Sequence, residues 1–219
     1  DVVLDLHCDF EAVVHLYMEP ECEAGLLPLA RGLGAQAVLL ARGTGGHCFD
    51  EVLSGVWWQL RESVALSHGA DFVVTHPIPQ GCLSSTVELR GQTDVNDALA
   101  AQDSQAIQTF LTHLGVLSGD ANTSLPALQC QASPLAGSQY LLAPCSGVIS
   151  YQKAPGDRVL PGDVVARVVN PLTGQSQDVC SDTDGVLYAR HNLRWTTTGM
   201  ELAKISGQNV RRLGPLLGP

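Results

Sequence analysis

The sequence predicts an α/β layer followed by a small all-β module, on three observations. Strand-like and helix-like runs alternate over the first half of the chain. A stretch at 118–139, rich in Ser, Pro, Ala and Gly, has no hydrophobic period and reads as a linker. Beyond it, short β-runs recur with Gly and Pro every several residues, as in a small barrel or sandwich. The expected organisation is an α/β part at 1–117, a linker at 118–139, a β module at 140–207 and a frayed tail at 208–219.

Val2–Leu6 is an apolar run broken only by Asp5 and predicts a buried parallel strand. Ala12–Met18 predicts a second strand. Glu23–Leu33 reads as a helix stopped by Gly32 and Gly34. Ala35–Ala41 is a third strand, closed by the loop Gly43-Thr44-Gly45-Gly46. Asp50–His68 has helical content, with Trp57, Trp58 and Leu60 expected inside. Thr86–Leu89 is a strand that stops at Gly91. The clearest helix covers 95–114, because Ile107, Phe110, Leu111 and Leu114 repeat at the spacing of a buried stripe.

With 45% hydrophobic residues in 219, the chain can bury a core. No apolar run reaches the roughly 18 residues of a membrane span, so no membrane role is expected. Net charge is −10, with twelve basic residues and no basic patch, which argues against a nucleic-acid partner. Seven cysteines without a pairing rhythm or a Cys-x-x-Cys read as reduced thiols, and the expected compartment is cytoplasmic. The chain opens without Met, directly into a strand, and is expected to be the C-terminal part of a longer protein.

Two runs carry chemistry: VLDLHCD at 3–9 and TVELRG at 86–91. Alternate side chains of a strand share a face, so Asp5 and His7 point one way. Glu88 and Arg90 share a face with Thr86. In open α/β sheets, ligands gather at the carboxyl ends of strands. Neutral imidazole suits Zn²⁺, and Asp5 or Asp9 can orient the ring. Each residue alone also has an ordinary reading: His7 as a strand-end histidine, Glu88 as the ion-pair partner of an arginine. The remaining histidines are weaker. His15 lies in a strand and is expected to face solvent, and His47 sits in the glycine loop. No His-x-x-x-His or His-x-x-Glu spacing occurs.

Three segments, DVVLDLHCDFEAVVHLY, FDEVLSGVWWQL and TVELRGQTDVNDALAAQDSQAIQTFL, together with APCSGVISYQKAPGDRVLPGDVVARVVNP and DGVLYAR, resemble the succinylglutamate desuccinylase/aspartoacylase family. The resemblance covers nearly the whole chain. It implies part of a zinc-carboxypeptidase-like mixed sheet with flanking helices, followed by a small all-β barrel-sandwich domain. It also implies one zinc ion, held by a His and a Glu of an upstream His-Gly-x-x-Glu motif and by a later His after Asp-Leu. Only that later His has a match here, His7. The acid/base glutamate falls on Glu88. The upstream pair and the substrate-gripping Asn-Arg segment have no counterpart in these residues.

The implied activity is zinc-dependent hydrolysis of an N-acyl amino acid or a similar small amide. Asp5, Arg90 and Tyr188 are expected as orienting or substrate-binding residues. The expected partner is that small molecule, with a homo-oligomer left open. The alternative is a catalytically inactive binding or regulatory homologue. The β module also resembles a biotinyl/lipoyl barrel, but its hairpin at 170–179 has no lysine to modify, so it reads as a wall beside the site.

Overall fold

The structure is a computed structural model, and it describes residues 1–46, 48–120 and 124–216. Its first sheet is mixed. Strand β1 (Val2–Asp9) is followed by the two-residue β2 (Glu11–Ala12) and then by β3 (Val14–Met18). Helix α1 (Glu23–Leu33) leads to β4 (Ala37–Leu40). Helices α2 (Phe49–His68) and α3 (Ala70–Thr75) precede β5 (Leu83–Gly91), and α4 (Asp97–His113) precedes β6 (Ser133–Pro134). The strand order is β1-β5-β3-β4-β6, and only the β3–β5 pair is antiparallel.

The local reasons are visible in the sequence. Gly34 ends α1 in the left-handed conformation (φ 69°), and the next amide, Ala35, bonds back to Ala30 O. Asn96 caps α4 by accepting a bond from the Leu99 amide at 3.0 Å. One face of the sheet packs Val14, Leu16 and Val87 against α1 and α4 through Leu26, Leu29, Ala106 and Phe110. The other face carries the polar side chains.

The remaining strands are β7 (Gln139–Leu142), β8 (Gly147–Tyr151), β9 (Arg158–Val159), β10 (Val164–Val169), β11 (Ser176–Cys180), β12 (Gly185–Arg190), β13 (Trp195–Thr196) and β14 (Glu201–Ile205). They form two sheets of order β11-β10-β8-β13 and β2-β12-β14-β7, with β9 beside β12. A core of Ile149, Val165, Val168, Leu187, Leu202 and Ile205 lies among them.

The architecture is thus mixed α/β with several sheets, and it departs from the sequence expectations in five places. Strand β1 is an edge strand and half-exposed, with Leu6 54% accessible. It runs on through His7 to Asp9, so His7 lies within the strand. Leu60 faces solvent, because α2 covers the sheet with its first turns; Asp50, Ser54 and Gly55 are its buried residues. The stretch 118–139 is more than a linker, since β6 pairs with β4 inside the first sheet. Strand β2 pairs with β12, so the α/β part and the β module share a sheet. The tail is held as far as Leu216 rather than frayed: the Arg211 and Arg212 amides donate to Ala136 O, and the Leu216 amide donates to Thr44 O at 2.7 Å.

Candidate active site

His7, Glu88 and His15 form one row across three neighbouring strands. His7 is the in-register partner of Glu88 on the parallel side, and His15 is its partner on the antiparallel side. Register partners share a face, so all three side chains leave the same surface of the sheet. The next row holds Asp5, Thr86 and Tyr17. Both rows meet a cleft of about 270 Å³ lined by Asp5, His7, Tyr17, Asp50, Glu88 and Lys204, among others. Its apolar wall comes from Met18, Leu39, Phe49 and Leu135.

His7 is 50% exposed, and its Nε2 lies 3.1 Å from Asp5 Oδ2. That contact fixes the ring as a second carboxylate would in a metal site. Glu88 differs in character. Its Oε2 is buried without a hydrogen-bond partner among the described residues. Burial, reinforced by the nearby Asp9 charge, pushes its carboxyl up to about 7.

His15 was expected at the surface and is fully buried. Its Nδ1 lies 2.9 Å from Val13 O, which fixes the ring, and its Nε2 has no partner among the described residues. Burial lowers its pKa to about 4, so the ring is neutral near pH 7. Tyr188 does not reach the cleft. It is buried behind His15, with ring centroids 5.0 Å apart, in the core between the sheet and the β module.

Arg90 also leaves the site. Its φ of +78° breaks the strand's alternation. The guanidinium instead makes a two-pronged bond to Asp103 on α4, at 2.7 and 2.9 Å. Arg190, on β12, lies outside the cleft and is engaged by Glu11 and Lys153 O. His47 lies outside the described residues.

Two further residues were not picked out from the sequence. Lys204, on β14 of the β module, enters the cleft and bonds Asp9 at 2.9 Å. Burial disfavours the Asp9 charge, but Lys204 outweighs it and holds that carboxyl below its usual range. Asp50, in the first turn of α2, accepts a bond from Thr86 Oγ1 at 3.1 Å. Lys204 is one of only two lysines, and its place on an alternating strand was the available signal. Asp50 gave none, because a first-turn aspartate is ordinary helix chemistry.

A zinc site needs three protein ligands and an open position. Among the described residues no three His, Cys, Asp or Glu side chains converge to hold a metal ion. His7, exposed and braced by Asp5, fits one ligand position, but the set present does not complete a site. Also among the described residues, no helix is long and apolar enough to cross a membrane.

Neither a protein-family model nor a curated protein matches the sequence. Solved structures do match. A putative succinylglutamate desuccinylase/aspartoacylase from Shewanella frigidimarina is 23% identical with a TM-score of 0.79, covering 94% of this chain and 53% of its own. A family protein from Shewanella amazonensis is 26% identical with a TM-score of 0.78, covering 94% and 54%. One from Rhodobacter sphaeroides is 18% identical with a TM-score of 0.65, covering 95% and 58%. The resemblance drawn from the motifs therefore has its structural counterpart: the neighbours are succinylglutamate desuccinylase/aspartoacylase family proteins. The chain spans about half the length of the first two of these structures.

Proposed function

We propose that the chain carries the general acid/base half of an amide hydrolase, a deacylase acting on an N-acyl amino acid or a similar small amide. The observation that carries this reading is Glu88. It is a carboxylate with a buried oxygen that has no partner among the described residues, facing a cleft beside a braced imidazole. A carboxyl that titrates near 7 can both take and return a proton at neutral pH.

In this mechanism Glu88 accepts the proton of the attacking water as the oxygen bonds to the substrate carbonyl. It then returns that proton to the amide nitrogen as the C–N bond breaks. The products are a carboxylate and a free amine. Asp5 holds His7 in place, and the apolar wall limits competing water. His7 is proposed as one zinc ligand, with two more required from outside the described residues. When bound, zinc supplies Lewis-acid activation of water and polarisation of the carbonyl.

The full-length protein tests this. It should contain about one zinc per chain and hydrolyse N-acyl amino acids. Glu88→Gln should keep the metal and lose about 100-fold or more in kcat. A zinc-loaded Glu88→Gln protein with the wild-type rate refutes the role of Glu88. A second reading is a catalytically inactive binding homologue, in which the full-length protein lacks the two further ligands. A full-length protein that carries no zinc and cleaves no amide supports that reading instead.

A further inference from the structure

The mechanism uses two members of the His7, Glu88 and His15 row and leaves the third without a task. The hydrogen bonding of His15 fixes its state. Its Nδ1 lies 2.9 Å from Val13 O. A carbonyl oxygen only accepts, so Nδ1 carries the ring hydrogen. Burial keeps the ring neutral near pH 7, which leaves Nε2 a bare acceptor. The ring is fully buried and does not line the cleft.

Glu88 meets the same difficulty from the neighbouring strand. Its Oε2 is buried without a partner among the described residues, and in the ionised carboxyl it too only accepts. Two facing acceptors cannot bond each other; they need a donor with two hydrogens. The neighbouring side chains do not supply it. Lys204 is held by Asp9 at 2.9 Å and approaches Glu201 at 3.7 Å. The Tyr17 and Tyr188 rings pass His15 at centroid distances of 5.3 and 5.0 Å, and neither hydroxyl bonds Nε2. The described residues already close both orphan atoms off from solvent, so a further segment of protein cannot reach them. A single water can.

We propose that one buried water donates to both His15 Nε2 and Glu88 Oε2, and that His15 is thereby a positioning residue for Glu88. The two hydrogens of the water match the two acceptors. Hydrogen bonds of about 2.8 Å on each side fit register partners whose side chains start about 5 Å apart. Held at Oε2, the carboxyl presents Oε1 to the cleft that Glu88 lines. A base fixed in this way loses less to misorientation at each proton transfer. The bridge stands on geometry; its effect on rate rests on the hydrolase reading.

Crystal structures of the full-length protein, at a resolution that shows ordered water, test the bridge. The wild type should hold one water within about 3.2 Å of both atoms. His15→Gln offers an amide oxygen in place of Nε2 and should keep the water and the Glu88 rotamer. His15→Leu should lose the water and turn or disorder the Glu88 carboxyl. A wild type without that water, a protein group bonded to either atom, or an unmoved Glu88 in His15→Leu overturns the proposal. If His15→Leu does not fold, the wild type and His15→Gln decide it. Kinetics read the consequence. His15→Leu should lose about tenfold or more in kcat with KM within about threefold, and His15→Gln should recover most of that loss. Equal losses in the two variants overturn the positioning role. If the water and the Glu88 rotamer behave as stated and no amide is cleaved at any zinc loading, the hydrolase reading fails while the bridge stands.

Discussion

Glu88 and His15 face each other across the antiparallel β3–β5 pair, and each has a buried polar atom, Oε2 and Nε2, without a hydrogen-bond partner among the described residues. Such orphaned atoms are costly unless the site uses them. On the opposite flank of Glu88, His7 is open to solvent. The glutamate therefore sits between a dry imidazole and a wet one: burial, with Asp9 adding to it, raises its pKa, and the open flank leaves it reachable.

The pH dependence of hydrolysis should follow Glu88. The base must be ionised, so kcat/KM should rise with pH through about 7. A profile flat from pH 5 to 8 would show that another group takes the proton.

The same shift has a stability consequence of opposite sign. The folded pKa of Glu88 lies above the usual carboxyl value, so the unfolded chain binds fewer protons between about pH 4.5 and 7 and stability falls as pH rises across that window. Glu88→Gln should therefore raise the melting temperature more at pH 8 than at pH 5. An equal effect at both values would contradict the assignment.

His15 works the other way. Its folded pKa is depressed from 6.5 to about 4. Its contribution is present above 6.5 and is lost as pH falls towards 4, by on the order of 3 kcal/mol at most. Denaturant melts at pH 7 and pH 4.5 should show a smaller pH loss in His15→Gln than in the wild type.

Arg90→Ala should cost roughly 3 kcal/mol, because Asp103 would stay largely buried without its partner. The KM of the folded fraction should not change, since the guanidinium points to α4. A KM effect larger than threefold would return Arg90 to the cleft.

Lys204→Met should lower the melting temperature by roughly 10 °C. The ammonium joins Asp9 of β1 to β14, elements 195 residues apart in sequence, and its loss leaves Asp9 unpaired. Adding Asp9→Asn should recover part of that loss. No recovery would mean that the pair does not couple the sheet to the β module.

Much of the fold was legible because period and punctuation agree with it. Helix α1 has the bounds read from its apolar spacing and Gly34, and the Asp5/His7 alternation follows from strand geometry. What was not legible depends on contacts between distant segments. The exposure of His15 could not be read locally, since the β module covers it through Tyr188. Arg90 left its face through one positive φ, which alternation cannot anticipate. Lys204 reaches the cleft only because β2 and β12 share a sheet, a pairing across more than 170 residues.

The central claim is that His7 and Glu88 serve one reaction centre. A double-mutant cycle on the full-length protein measures it, using kcat/KM for a hydrolysed N-acyl substrate. Groups that act as a unit lose their effect together, so His7→Ala combined with Glu88→Gln should be no slower than the slower single variant. Losses that multiply across the two sites would place the residues in separate functions and contradict the account.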